Sequence, residues 1–238
     1  MGSRRIAALV AGLVLAIGHS AAAQRSEDPP PPKTAGEAGD KLVYADFEGG
    51  DKATTVSSRG GSVTITSYQE SDLHKTTTKG IAGSNSPERV HVKPDDPNHL
   101  AKFEFAFMAP NGWAGAGFEI KGQAEADGKT PADDVSAFKK ITFQLYTKGV
   151  ETIRVEAISR GHGSDLQAGW PQMTFKVRPG LNTYEVALKA LVQPGWVDTK
   201  IDPKKILQKL TALGITAYCD QCRPSEGMLI LDNVTFEK

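Results

Sequence analysis

The fold class is decided by residues 140–157, which read KITFQLYTKGVETIRVEA. Apolar side chains alternate with polar ones, first at positions 141, 143 and 145 and then at 153, 155 and 157. Successive side chains of a strand point to opposite faces, so each half predicts a strand with one buried face. A turn signal, Lys148-Gly149, separates the halves. We therefore predict a β-hairpin with one apolar and one polar face.

The same alternation continues on both sides of this stretch. It predicts strands at 41–47, 62–68, 89–93, 102–107, 115–121, 172–177, 183–188, 211–218 and 228–236. About ten strands with turn residues between them favour a β-sandwich over a parallel sheet with crossover helices. One short helix is predicted, with Asp202 as its cap and Pro203 at its first position. The predicted class is all-β.

Carboxylates lie at both ends of this β-rich region. The first strand closes with YADFEG at 44–49, and the last contains LILDNVTF at 229–236. If these strands are neighbours, Asp46, Glu48 and Asp232 come together as oxygen ligands of the kind that Ca²⁺ prefers. The spacing is not a closed calcium motif, so solvated acids beside a Gly-rich turn are the alternative.

The chain begins with the three parts of a secretory signal. Arg4 and Arg5 precede an apolar stretch at 6–17 and three alanines at 21–23. We predict a signal peptide over 1–23, a Pro-rich disordered linker over 24–40 and one binding domain over 41–238. The protein is then periplasmic or secreted, with no membrane insertion after cleavage.

Charge and cysteine content limit the partners and the chemistry. The formal net charge is zero, and removal of 1–23 takes away two Arg and no acid, which leaves −2. This balance, without Lys/Arg clusters, argues against a nucleic-acid partner. Cys219 and Cys222 predict a disulfide that closes a small loop. A redox pair is the alternative, but it needs a helix after the first Cys, and a turn follows.

Several segments resemble a known family in order and spacing. They are DFEG at 46–49, WAGAG at 113–117, DVSAFKKITF at 134–143, KG at 148–149, NTYEV at 182–186, QPGW at 193–196 and LDNV at 231–234. The chain thereby resembles galactose-binding-like jelly rolls, namely family-11-type carbohydrate-binding modules and the complex I intermediate-associated protein 30 domain. The resemblance implies a jelly-roll β-sandwich that binds a polysaccharide or oligosaccharide on a sheet face. It also implies a structural Ca²⁺, with Glu48 and Asp232 as its best ligands.

The polar face of the predicted hairpin is the candidate sugar surface. It carries hydrogen-bonding and aromatic side chains, and the loop that follows adds more: Gln144, Tyr146, Arg154 and Glu156 on the strands, and His162, Gln167 and Trp170 in the loop. Sugar hydroxyls pair with such polar groups, and sugar C–H faces stack on rings. An ordinary solvated face is the alternative, as is a Trp170 that plugs the sandwich. Trp113 and Trp196 are assigned to packing.

Enzyme motifs are missing from the sequence: there is no G-x-S-x-G, no H-E-x-x-H and no P-loop. Polysaccharide binding, which the resemblance implies, is therefore predicted to be non-catalytic. One alternative is an envelope interaction protein that binds a protein partner through the same sandwich. The other alternative is a glycan hydrolase or lyase that uses strand carboxylates such as Glu104, Glu119 and Glu156.

Overall fold

The computed structural model describes residues 39–238 except 52, 109–110, 127–129, 163–165 and 167. Twelve strands are found in this part of the chain: β1 (Lys41–Ala45), β2 (Val63–Gln69), β3 (Thr76–Lys79), β4 (Glu88–His91), β5 (His99–Phe107), β6 (Ala114–Lys121), β7 (Lys140–Lys148), β8 (Thr152–Ile158), β9 (Gln172–Lys176), β10 (Gly180–Ala187), β11 (Ala212–Cys219) and β12 (Ser225–Glu237). Every strand predicted from the alternation is present, with ends shifted by a few residues. Only β3, a run of threonines, was not predicted.

Two antiparallel sheets form the sandwich. The larger has the order β10-β7-β12-β5-β3, with β1 also paired to β12 and β4 to β5. The smaller has the order β2-β6-β11-β8-β9. The first strand pairs with the last, in the register Leu42 with Phe236. The predicted all-β jelly-roll sandwich and the meeting of its ends are confirmed.

The inward faces of the two sheets form one apolar core. Every second residue of the central strands is buried, as the alternation predicted. Phe103 of the larger sheet meets Phe118 of the smaller one edge to face, with ring centroids 4.9 Å apart. Both rings are fully buried, and burial of such a side chain contributes about 1.5–3 kcal/mol. The sheets are therefore held by their inner faces, which leaves each outer face open to solvent or ligand.

The predicted hairpin over 140–157 is wrong. β7 pairs with β10 and β12, whereas β8 pairs with β11 and β9, so the two strands lie in different sheets. Gly149 makes the crossing in a left-handed conformation (φ +67°), where an added Cβ would overlap the backbone of Glu226. Strands that face each other across a core bury alternate residues just as paired strands do. The alternation therefore could not distinguish the two arrangements.

The predicted helix and disulfide are both present. Helix α1 spans Pro203–Leu207, and the Asp202 side chain accepts a hydrogen bond from the Lys204 N–H. Cys219, the last residue of β11, forms a disulfide with Cys222. Among the described residues, no helix is long and apolar enough to cross a membrane.

Candidate functional site

Three glycines leave the middle of the outer face of the five-stranded sheet without side chains. Gly115 and Gly117 of β6 and Gly214 of β11 all occupy outward-facing positions. A Cβ atom at Gly115 would overlap the ring of Tyr68, and one at Gly117 would overlap Thr216. Glycine at such positions lets a neighbouring group approach the backbone closely. The side chains of the adjacent strands can therefore lie across the sheet instead of standing away from it.

An arginine and two tyrosines pack against this glycine-lined part of the sheet. Gly115 is in register with Tyr68 on one side and Tyr218 on the other. The guanidinium carbon of Arg154 lies 3.7 Å from the centroid of the Tyr218 ring and 5.9 Å from that of Tyr68. Its Nη1 donates to the Tyr68 hydroxyl at 3.4 Å. This cation–π stacking fixes the guanidinium against the sheet.

The electrostatics of this group favour hydrogen bonding to a ligand. Burial raises the pKa of Tyr68 to about 12, although the Arg154 charge opposes the shift, so its hydroxyl keeps its proton. The Arg154 Nε is buried and has no hydrogen-bond partner among the described residues. A buried donor without a partner costs about 1–3 kcal/mol. Because Nε itself is closed to solvent, a ligand would have to accept from the Nη groups of this guanidinium.

Two tryptophans complete a depression around Arg154, which we call the aromatic cleft. It is lined by Trp113, Arg154, Trp196 and Tyr218 and has a volume of about 490 Å³. Trp113 directly precedes β6, and its ring centroid lies 6.1 Å from that of Tyr68. Trp113 is 38% exposed and Trp196 is 68% exposed. Two large rings that remain open to solvent at the edges of one depression indicate a binding surface.

The exposed Trp196 is carried by a firmly bound segment. Its ring packs on Gly169, where an added Cβ would lie 2.8 Å from the Trp196 Cη2 atom. The side chain of Gln193 accepts from the Ile201 N–H at 2.7 Å and donates to the Thr199 carbonyl at 3.3 Å. The following residue, Val197, is buried. The ring is therefore presented to solvent by a fixed backbone.

Two glutamates extend this face beyond the aromatic cleft. Glu119 of β6 and Glu156 of β8 are both in register with Gly214, one on each side. Arg160 forms an ion pair with Glu119 at 2.6 Å. Burial raises the pKa of Glu156 to about 7, and the nearby Glu119 charge adds to this, whereas Arg154 and Arg160 oppose it. The Glu156 carboxyl group therefore titrates near neutral pH.

The predicted sugar residues do not form one surface. Arg154 and Glu156 lie on the face just described, whereas Gln144 and Tyr146 are on the outer face of the other sheet, because β7 belongs to that sheet. Trp170 is only 2% exposed and is part of the core, so it offers no stacking platform. Instead its backbone N–H bonds the Glu156 carboxylate.

The loop residues of the prediction contribute little to this face. A ring nitrogen of His162, Nε2, lies 2.6 Å from the carbonyl oxygen of Thr130 and is bound to the protein itself. Gln167 lies outside the described residues.

Four aromatic residues of the site were missed or misassigned by the sequence analysis. Trp113 and Trp196 were assigned to packing, yet both are exposed, and Tyr68 and Tyr218 were not singled out. The available signal was the Gly-x-Gly alternation at 115 and 117, which removes side chains from one face only. Its significance depends on the register that places a tyrosine on each side of Gly115, and that register is a tertiary property.

The carboxylates of the two chain ends are neighbours. Asp232 is 1% exposed, and desolvation raises its pKa, to which the charges of Glu48 and Asp46 add. Asp46 and Glu48 lie in a turn after β1 and not on the strand, since Phe47 between them adopts a left-handed conformation (φ 58°). Asp232 accepts from the Asn98 side-chain amide at 3.0 Å.

Protein donors already occupy much of this corner. The two Glu48 oxygens bond the backbone N–H and the ring Nδ1 of His99, both at 2.8 Å. The Arg89 guanidinium donates to the carbonyls of Phe47, Glu48 and Gly50. In the described ranges no three His, Cys, Asp or Glu side chains are grouped to hold a metal ion. The predicted ligands are therefore neighbours but not a formed metal centre.

Comparison with known proteins identifies relatives in fold. No protein-family model matches the chain, and no curated protein matches it significantly. Among solved structures, it is similar to the family 11 carbohydrate-binding module from Clostridium thermocellum in complex with a β-1,3-1,4-mixed-linked tetrasaccharide. That match has a TM-score of 0.50 and 15% identity, and it covers 84% of this chain and 97% of that one. A family 30 carbohydrate-binding module of a cellulosomal cellulase from the same organism matches with a TM-score of 0.44 and 11% identity, over 75% of this chain and 94% of that one. The match to the family 11 module confirms the predicted resemblance at the level of the fold.

Proposed function

We propose that this protein binds a polysaccharide non-covalently on the outer face of its five-stranded sheet. The observation that carries the proposal is the aromatic cleft, in which exposed Trp113 and Trp196 flank the stacked pair of Arg154 and Tyr218. The fold it shares with a family 11 carbohydrate-binding module in complex with a tetrasaccharide supports the same conclusion.

The chemistry of the cleft matches that of a sugar chain. The apolar C–H faces of a pyranose ring pack on exposed aromatic rings, and the two tryptophans supply these at the rim. The hydroxyls of the sugar need hydrogen-bonding groups on the floor, which the Arg154 guanidinium and the Tyr218 hydroxyl provide. Because the rings and the guanidinium are already fixed, binding requires little loss of side-chain freedom.

Affinity electrophoresis against a panel of soluble polysaccharides tests the proposal. We expect at least one glycan, with mixed-linked β-1,3-1,4-glucan as the first probe, to retard the protein. The matched control is the Tyr146→Ala variant, which changes an aromatic residue on the opposite sheet and should migrate like the wild type. If no polysaccharide retards the wild type, the sugar proposal is wrong, and capture of an envelope protein partner becomes the function to test.

Glycan hydrolysis is the second candidate function, and the placement of Glu119 and Glu156 favours it. Both carboxylates lie on one sheet face, and Glu156 carries the raised pKa that a general acid needs. We propose binding without catalysis, because Glu119 is held by Arg160 and Glu156 by the Trp170 backbone. Reducing-end analysis of the retained glycan decides between them: new reducing ends that disappear in Glu156→Gln would establish an enzyme.

A structural Ca²⁺ at Glu48 and Asp232 is a separate proposal. Its support is the mutual repulsion of three neighbouring carboxylates, which a divalent cation would relieve. To bind, the ion would compete with His99 for Glu48 and with Asn98 for Asp232. Thermal unfolding with Ca²⁺ and with chelator tests this. A calcium-dependent rise in Tm that is lost in Asp232→Asn supports the ion, and identical Tm values reject it.

We also propose that the protein works in the periplasm or outside the cell. The signal-like segment over 1–23 supports this, and so does the disulfide, since disulfides persist in oxidising compartments. Mass spectrometry of the protein from periplasmic and medium fractions should find a chain that begins at Gln24. A full-length chain in the cytoplasm would contradict the proposal.

A further inference from the structure

We propose that the Cys219–Cys222 disulfide is a positioning element of the aromatic cleft, so that its reduction lowers glycan affinity while the sandwich stays folded. This inference rests on the proposed sugar-binding function, but its structural part can be tested without any glycan. It concerns how Trp113 and Tyr218, which form two walls of the cleft, are held in place.

The disulfide first holds Tyr218. Tyr218 and Cys219 are the last two residues of β11, in register with Gly115 and Ala114 of β6. On the other side of β11, the pairing with β8 stops at Ala217. The end of β11 that carries Tyr218 is therefore hydrogen-bonded to a neighbouring strand on one side only. The next residue, Cys219, forms the disulfide.

The same disulfide loop holds Trp113 from its other end. The Cys222 N–H donates to the Gly112 carbonyl at 2.7 Å, and the Asn111 N–H donates to the Cys222 carbonyl at 3.1 Å. These two hydrogen bonds attach Cys222 to the residues directly before Trp113. Cys222 is 2% exposed, so this attachment is buried. One covalent bond thus links the backbone beside Tyr218 to the backbone beside Trp113.

Both attached turns adopt conformations that need support. Asn111 and Gln221 have φ values of +66° and +55°, in the left-handed region that side-chain-bearing residues rarely adopt. Without the disulfide, the turn at Gln221 has fewer constraints and can relax, which releases the hydrogen bonds to Gly112 and Asn111. Trp113 keeps one further contact, since its carbonyl accepts from the Glu70 N–H at 3.0 Å. We therefore expect weakened binding and not complete loss.

A purely stabilising role does not account for this arrangement. The stabilisation from a disulfide grows with the length of the loop it closes, and this loop contains only four residues. The position of the disulfide matters more than the length of the loop that it closes, because it joins the backbone beside Tyr218 to the backbone beside Trp113.

The test compares wild type with the Cys219→Ser/Cys222→Ser double variant. Glycan affinity should fall about threefold to tenfold, the effect of misplacing aromatic contacts. Ile141→Val, in the core of the other sheet, is the control for a general loss of stability and should bind as the wild type does. Dithiothreitol should reproduce the loss in wild type: thiol–disulfide exchange leaves two protein thiols and oxidised cyclic dithiothreitol. It should change nothing in the serine variant.

Tryptophan quenching gives a readout that is independent of sugar. Of the three tryptophans, Trp170 is buried, so in a Trp196→Phe background Trp113 is the exposed one. Acrylamide should quench its fluorescence more strongly once the cysteines are replaced. Unchanged quenching together with unchanged affinity would overturn the inference. Changed quenching in a protein that binds no glycan would uphold the positioning role and reject only the sugar function.

Discussion

Two of the three tryptophans give a prediction that separates binding from folding. The structure places Trp196 at the edge of the aromatic cleft with 68% of its surface exposed, and Trp170 in the core with 2% exposed. Replacement of each by alanine removes the same atoms from very different surroundings. Trp196→Ala should therefore affect ligand binding, and Trp170→Ala should affect folding.

The magnitudes follow from these surroundings. Removal of the exposed Trp196 ring changes the free energy of unfolding by no more than about 0.5 kcal/mol. It removes a stacking contact, so the glycan Kd should rise by about threefold to tenfold. Removal of the buried Trp170 ring costs about 3–5 kcal/mol, which lowers Tm by on the order of 10 °C in a domain of this size.

Isothermal titration calorimetry and thermal unfolding on the same samples test both halves. The two variants should show opposite patterns: a weaker Kd with an unchanged Tm for Trp196→Ala, and a lower Tm for Trp170→Ala. A Trp196→Ala variant that binds normally but melts early would refute the assignment of Trp196 to the cleft.

Three further predictions concern the charged residues of the site and the sheet on which the site lies. Burial raises the pKa of Glu156 from 4.5 to about 7, so the folded protein holds a proton that the unfolded chain has released. The free energy of unfolding should therefore fall, by up to about 3 kcal/mol, as pH rises from about 5 to about 8. Urea unfolding of Glu156→Gln should lack this component, and an identical slope would contradict it. Arg154→Met, which keeps an unbranched apolar side chain but loses the guanidinium that stacks on Tyr218, should weaken binding about tenfold or more in titration calorimetry. Normal affinity would exclude Arg154 as a ligand contact. Tyr146→Ala should leave the measured Kd unchanged because Tyr146 lies on the opposite sheet, and a weaker Kd there would move the site to that sheet.

Most of the fold could be predicted because strand alternation is a local property. Side chains at 141, 143 and 145 are buried as their spacing requires. The sheet to which a strand belongs is not local, since the inner faces of both sheets look alike in sequence. For this reason Tyr146 and Arg154 were expected on one surface and lie on opposite ones.

The candidate site could be predicted only in part, for a related reason. Arg154 and Glu156 were found because they are the polar residues of an amphipathic strand. The burial of a tryptophan depends on what covers it, so the sequence could not tell the core Trp170 from the exposed Trp113. The row formed by Tyr68, Gly115 and Tyr218 requires strands that are far apart in sequence to pair in one register.

The most direct test of the central claim is affinity electrophoresis of wild type and of the Trp113→Ala/Trp196→Ala double variant in gels that contain each polysaccharide. At least one glycan should retard the wild type, and the double variant, still folded by circular dichroism, should migrate as it does in a gel without glycan. Equal retardation of both proteins, or of neither, would contradict a sugar-binding aromatic cleft on the five-stranded sheet.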